Sequence, residues 1–113
     1  PPAAIPAVMD YLSRPLVGHR PRAAYLRFAC LLHDIEKPST RVVDEEGNVH
    51  FYGHEKFGEV TVRGLCDKLR LARAETDLLC LLVAQHMIFG PGIYEDHANL
   101  DRFFYRLFRL ELF

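Results

Sequence analysis

His33 and Asp34 are neighbours, and two further imidazoles, His54 and His86, follow downstream. Imidazole nitrogen with carboxylate oxygen is a ligand mixture suited to Zn, Mn, Fe, Co or Ni, and the chemistry it points to is metal-assisted reaction at phosphate. Leu26, Cys30 and His33 follow the spacing i, i+4, i+7, so His33 is expected on an inward helix face beside two apolar residues. Leu79, Leu82, Val83 and His86 form a second such stripe, which turns His86 inward as well. His54, between Gly53 and Glu55, stands at the start of a third helix whose inner side would carry Phe57, Thr61, Leu65 and Lys68. From a helix end it can aim at the same centre. A lone His on an apolar stripe is commonly a hydrogen-bonded core residue. Three such residues with an adjoining carboxylate favour a site instead, and the expected metal ligands are His33, Asp34, His54 and His86.

The remaining titratable residues divide more simply. Asp34 is also the expected catalytic carboxylate, and Lys37 either steers a phosphate or is a solvated Lys favoured by the negative end of a helix dipole. His50 alternates with Val49 and Phe51 and should face solvent. His19, beside Gly18, and His97, in a loop-like stretch, are expected at the surface.

The elements that must position these groups are mostly helical. Ile5, Val8, Met9 and Leu12 predict a short first helix with Pro6 near its entry. Pro15 and Gly18 mark residues 13–20 as a connection, after which Pro21 opens a helix through Tyr25, Phe28, Ala29, Leu32 and His33 that Pro38 should end. Over 40–52 the pattern changes to β-branched residues flanking Gly47-Asn48, the signature of a β-hairpin. Helix returns over 54–71 and over 74–89, where Gly90-Pro91-Gly92 breaks it. A last amphipathic segment sets Leu100, Phe103, Phe104, Leu107 and Phe108 opposite Arg102, Arg106 and Arg109.

With 113 residues, half of them hydrophobic, one domain with a modest core is expected over 1–113. Fourteen basic residues against fifteen acidic ones leave a formal charge of -1, so no global field draws the chain to nucleic acid or an anionic membrane. Any RNA contact must be a local patch, for which the three late arginines are the candidate beside an ordinary solvated face. Cys30, Cys66 and Cys80 are odd in number and lie among apolar neighbours, which reads as buried thiols in a reducing cytoplasm. No apolar run approaches the ~20 residues that span a bilayer. A chain that opens Pro1-Pro2 without Met is expected to be a fragment of a longer one. No Gly-x-Ser-x-Gly or Gly-x-Gly-x-x-Gly occurs, which removes the serine-triad and dinucleotide readings.

Three runs carry a family resemblance: Leu31-Leu32-His33-Asp34-Ile35-Glu36-Lys37-Pro38, then Phe51-Tyr52-Gly53-His54-Glu55, then Leu82-Val83-Ala84-Gln85-His86-Met87. They resemble the HD superfamily of metal-dependent phosphohydrolases, and more narrowly the HD domain that follows the nucleotidyltransferase core in bacterial tRNA nucleotidyltransferase and poly(A) polymerase-type proteins. The resemblance implies an all-α HD-domain helical bundle with one small β-hairpin insertion. It also implies a divalent metal ion, Mg included among the candidates, and hydrolysis of phosphomonoesters or nucleotide phosphodiesters. Glu36 stands where the family usually has Gly, the first helix lacks the His that HD domains commonly supply, and Asp101 is the nearest substitute for a late Asp. Nothing resembles the Gly-Ser loop and paired carboxylates of a nucleotidyltransferase core. Two functions are therefore expected to compete: a phosphohydrolase, with a phosphate ester or nucleotide as its substrate, and a structural or RNA-contacting domain of a tRNA-processing protein.

Overall fold

The computed structural model describes residues 4–89 and, beyond them, Asp101, Arg102, Tyr105 and Arg109. Helix α1 (Ala4–Ser13) is followed by a minimal hairpin of β1 (Pro15–Val17) and β2 (Arg20–Pro21), then by α2 (Arg22–Leu32) and a one-turn helix α3 (Lys37–Thr40). A second hairpin, β3 (Arg41–Val43) and β4 (Val49–Phe51), leads into two longer helices, α4 (His54–Lys68) and α5 (Arg73–Gln85), and a 3-10 turn (His86–Phe89) follows. Among the described residues the fold is mostly α, with two small two-stranded hairpins. The sequence reading anticipated the second hairpin and took residues 13–20 for a plain connection. Strands of three and two residues are too short to show a period of two, so this first hairpin leaves no hydropathy signal.

Helices α2, α4 and α5 build the core. Tyr25, Ala29 and Leu32 form the buried stripe of α2, Val62 and Cys66 come from α4, and Leu78, Leu79, Cys80, Leu81 and Val83 come from α5. Two expected faces are rotated from what the spacing suggested. On α2, Leu26 and Cys30 are exposed, and the inward stripe is one residue round the helix. On α4, Phe57 and Lys68 are exposed, and the inner stripe is His54, Gly58, Val62 and Cys66 at successive intervals of four. Gly58 explains the choice of face: a Cβ there would stand 3.1 Å from Val83 Cγ1, so the missing side chain lets α4 close onto α5.

Helix α2 ends at Leu32, earlier than Pro38, and a run of turns over residues 33–36 carries the His33-Asp34 pair. Pro38 lies in the first turn of α3, where its missing N–H costs least. The β3–β4 hairpin pairs Arg41 with Phe51, Val42 with His50 and Val43 with Val49. Asp44 organises its loop by accepting the N–H groups of Glu46 at 3.0 Å and Asn48 at 2.8 Å, and its other oxygen contacts His50 Nε2 at 2.7 Å. His50 is thus half-buried and engaged, rather than free in solvent, and its ring stacks on Tyr52 at 4.8 Å. His19 is exposed, as expected. Cys66 and Cys80 are buried and Cys30 is not, which corrects the expectation of three buried thiols. No helix among the described residues is long and apolar enough to cross a membrane. The expected apolar face of the last segment, Arg106 and His97 lie outside the described residues, while Arg102 and Arg109 are helical and exposed.

Candidate metal centre

Three elements deliver one side chain each to a common point. The turn after α2 supplies Asp34, the first residue of α4 supplies His54, and the residue after α5 supplies His86. Gly53 makes the approach of His54 possible. It adopts φ 75° at the N-cap of α4, the left-handed region that Gly enters without a Cβ penalty, and so turns the chain sharply from β4 into the helix.

Donor atoms converge tightly. Asp34 Oδ1 lies 3.3 Å from His54 Nε2 and 3.4 Å from His86 Nε2, and the two nitrogens are 3.0 Å apart. His54 is nearly sealed from solvent, and His86 is largely covered. Each imidazole is fixed from behind by a carbonyl three residues earlier: His54 Nδ1 donates to Phe51 O at 2.9 Å, and His86 Nδ1 donates to Val83 O at 2.7 Å. A carbonyl can only accept, so each Nδ1 carries a proton, and in the neutral ring the lone pair of Nε2 is then directed at Asp34. This is the orientation that a carbonyl-backed metal-ligating His adopts.

The residues present fit a divalent ion. Ligands at ~2.0 to 2.2 Å from one centre stand roughly 2.9 to 3.6 Å from each other in tetrahedral or octahedral sets, a range that contains all three separations. Two facing Nε2 lone pairs would repel at 3.0 Å unless a proton or a cation lay between them.

The other predicted residues surround this group. His33 caps α2 and is 40% exposed, not buried on an inward stripe; its Nε2 meets the other carboxylate oxygen, Asp34 Oδ2, at 3.2 Å, and its Nδ1 donates to Cys30 O at 2.6 Å. The helix ends before the apolar stripe would have carried it inside. Lys37 Nζ reaches the same Oδ2 at 3.1 Å and lies 5.4 Å from the centre of the Phe51 ring. Burial works to raise the Asp34 carboxyl, but the Lys37 hydrogen bond and the neighbouring charges of His33, Lys37 and His86 prevail, holding it below the usual carboxylate range. Glu36, in the family's Gly position, does not join the cluster. Its carboxylate accepts from Ser39 and from Thr61 Oγ1, the latter at 2.6 Å, and so ties the turn to α4. Asp101 is exposed and is not among the converging donors of the described residues.

One structural carboxylate escaped the sequence reading. Glu75 is buried beneath α2, where it accepts from Tyr25 Oη at 2.6 Å, from Arg20 at 2.9 Å and from the Ala72 N–H at 2.7 Å. The last bond is half of a capping box, satisfying a donor at the start of α5. Burial together with Glu75 pushes the Tyr25 phenol up to about 12. The sequence carries no such signal, because Ala72 stands where a capping box would show Ser, Thr, Asp or Asn.

Comparison with known proteins places this geometry in a family. The HD domain family model matches residues 7–107. Among curated proteins, an A-adding tRNA nucleotidyltransferase of Deinococcus radiodurans is 36% identical over 93 residues, covering 80% of this chain and 21% of the relative. A CC-adding tRNA nucleotidyltransferase of Thermus thermophilus is 37% identical over 81 residues, 71% of this chain and 18% of the relative. A Multifunctional CCA protein of Psychromonas ingrahamii is 33% identical over 74 residues, 66% of this chain and 17% of the relative. The chain thus spans about a fifth of the length of these relatives. No solved structure matches significantly. The mostly helical fold, the converging Asp34, His54 and His86, and a family match over nearly the whole sequence lead to one conclusion: the chain belongs to the HD domain family.

Proposed function

We propose that this chain is a divalent-metal-dependent phosphohydrolase domain, acting on phosphomonoesters or nucleotide phosphodiesters within a cytoplasmic protein of the tRNA nucleotidyltransferase type. The observation that carries the reading is the aim of three donor atoms at one point, with both imidazole rings held from behind by backbone carbonyls. Asp34, His54 and His86 would hold the ion, with His33 beside them at the second carboxylate oxygen. A bound divalent ion supplies Lewis acidity toward a phosphoryl oxygen and a water acidified to a pKa near ~7.

The chain's own groups do the rest. Asp34 stays ionised at neutral pH and contributes formal negative charge to balance the cation. Val83 and Phe51 carbonyls orient the imidazoles, so no reorganisation is needed when a ligand arrives. Lys37 keeps a partly exposed ammonium at the rim of the cluster, where it draws and then holds a phosphate oxygen. Turnover of p-nitrophenyl phosphate and bis-p-nitrophenyl phosphate after chelation, then after adding Mn or Ni, tests the reading. Restored turnover that Asp34→Asn removes supports it; no turnover with any divalent ion refutes it.

The relatives favour a second reading. Their names describe tRNA nucleotidyltransferases, and this chain corresponds to about a fifth of them. On that reading the domain organises the parent protein or contacts RNA, and purified chain hydrolyses neither ester.

A further inference from the structure

One cleft adjoins the donor cluster without sharing its polarity. Leu26, Ala29 and Cys30 of α2 face Leu82 of α5 across a space of about 320 Å³, and the rings of His33 and His86 form the end that meets the metal centre. Leu26 and Cys30 are exposed there, one residue round α2 from the buried stripe of Tyr25, Ala29 and Leu32, and Leu82 is only partly buried. The volume falls at the lower end of small-molecule sites. The lining offers little to hydrogen bonding: the Nδ1 atoms of both imidazoles are committed to carbonyls, their Nε2 atoms meet Asp34, and the Cys30 thiol is a weak donor and weak acceptor.

We propose that this cleft is a subsite for the flat, apolar part of the alcohol esterified to the phosphate, a nucleobase in the first instance, and that it takes the base without preference for its identity. The inference rests on the phosphohydrolase reading for the phosphate end of the ligand and on the cleft alone for the other end. Two residues, His33 and His86, wall both spaces, so a group seated between Leu26 and Leu82 is attached within reach of Asp34 and Lys37. Apolar walls recognise area and flatness; discrimination between bases requires paired donors and acceptors on their edges, and the cleft has no such set. Leu26 and Cys30 are therefore specificity-determining residues for aromatic over small polar esters.

Cys30 provides a readout independent of turnover. Cys66 and Cys80 are buried, and burial raises both thiols, that of Cys80 to about 11, so Cys30 is the thiol that alkylates. The experiment measures the iodoacetamide labelling rate of Cys30 by peptide mass, with and without Mn, in the presence of adenosine 5′-phosphate, uridine 5′-phosphate or glycerol phosphate. Both nucleotides should slow labelling alike, roughly tenfold at about ten times the dissociation constant, and glycerol phosphate should not. Leu26→Glu, at an exposed position that leaves the core intact, should remove the protection. Failure of both nucleotides to protect, equal protection by glycerol phosphate, or protection by one base only would overturn the subsite. Protection without hydrolysis of any ester would uphold the subsite while removing the hydrolase reading. Hydrolysis of nucleotides and glycerol phosphate with equal efficiency and no protection would do the reverse.

Discussion

Nε2 of His54 and Nε2 of His86 face one another at 3.0 Å, each with its Nδ1 proton committed to a carbonyl. A neutral pair in these tautomers has no hydrogen to place between the two nitrogens. The contact therefore favours a state in which a proton or a cation lies between the two nitrogens, and a bound divalent ion would supply it.

Metal addition should accordingly raise thermal stability. Protein stripped with a chelator and then given Mn, Ni or Zn at 100 times the dissociation constant should gain about 2.7 kcal/mol, read as an upward shift in Tm. The shift should vanish in the double variant His54→Ala/His86→Ala. An unchanged Tm across all three ions would show that the cluster is satisfied without metal.

Gly58 and Gly64 lie on the same helix and should respond oppositely to Ala. A Cβ at Gly64 meets nothing within 4 Å, so Gly64→Ala should stabilise by roughly 0.5 to 1 kcal/mol through helix propensity. At Gly58 the new methyl presses on Val83, which is fully buried and has little room to yield. Overpacking of about 1 to 3 kcal/mol then offsets or exceeds the propensity gain. Urea unfolding of the two variants checks the contrast; equal stabilisation would mean that α4 and α5 can separate freely.

Glu75 should make stability sensitive to acid. Burial alone would raise its carboxyl, but the bonds from Tyr25 and Ala72 and the charge of Arg20 outweigh that and hold it below its ordinary value near 4.5. A depressed folded pKa means that the contribution is present above the unfolded value and is lost as pH falls through the folded one. Glu75→Gln should cost roughly 1 to 3 kcal/mol at pH 7, and the gap from wild type should narrow progressively below about pH 4.5. A gap independent of pH would show that the loss is one of packing rather than charge.

Glu36 should prove to be a brace and not a ligand. Glu36→Gly removes the acceptor for Ser39 and Thr61, so Tm should fall modestly while bound metal stays at the wild-type ratio. Thr61→Val should reproduce the loss in Tm. A drop in metal content with Glu36→Gly would place that carboxylate in the metal set after all.

Much of this architecture was legible because hydropathy reports what is apolar at a regular interval. The stripe through Leu79 and Val83 carries His86 as its spacing required, and the β-branched run around Gly47-Asn48 is the anticipated hairpin. The faces of α2 and α4 were not legible for the same reason. The inner stripe of α4 contains Gly58, whose contribution is empty space, whereas Phe57 is bulky and exposed. The apolar row of Leu26 and Cys30 lines a cleft instead of the core. Glu75 was invisible because a charge is assigned to the surface until its partners, fifty or more residues away, are known. At the centre itself, residue types named the participants, but only the backbone carbonyls behind the rings determine which nitrogen of each His faces Asp34.

Metal content of purified protein, read by elemental analysis in wild type, Asp34→Ala and His54→Ala, tests the central claim most directly. Asp34 supplies the formal negative charge that offsets the cation and contacts His33, His54 and His86 through its two oxygens, whereas His54 supplies one neutral donor. Wild type should carry about one divalent ion per chain, His54→Ala a reduced fraction, and Asp34→Ala none. Wild-type protein that holds no ion after growth and dialysis in Mn, Ni or Zn would contradict the account.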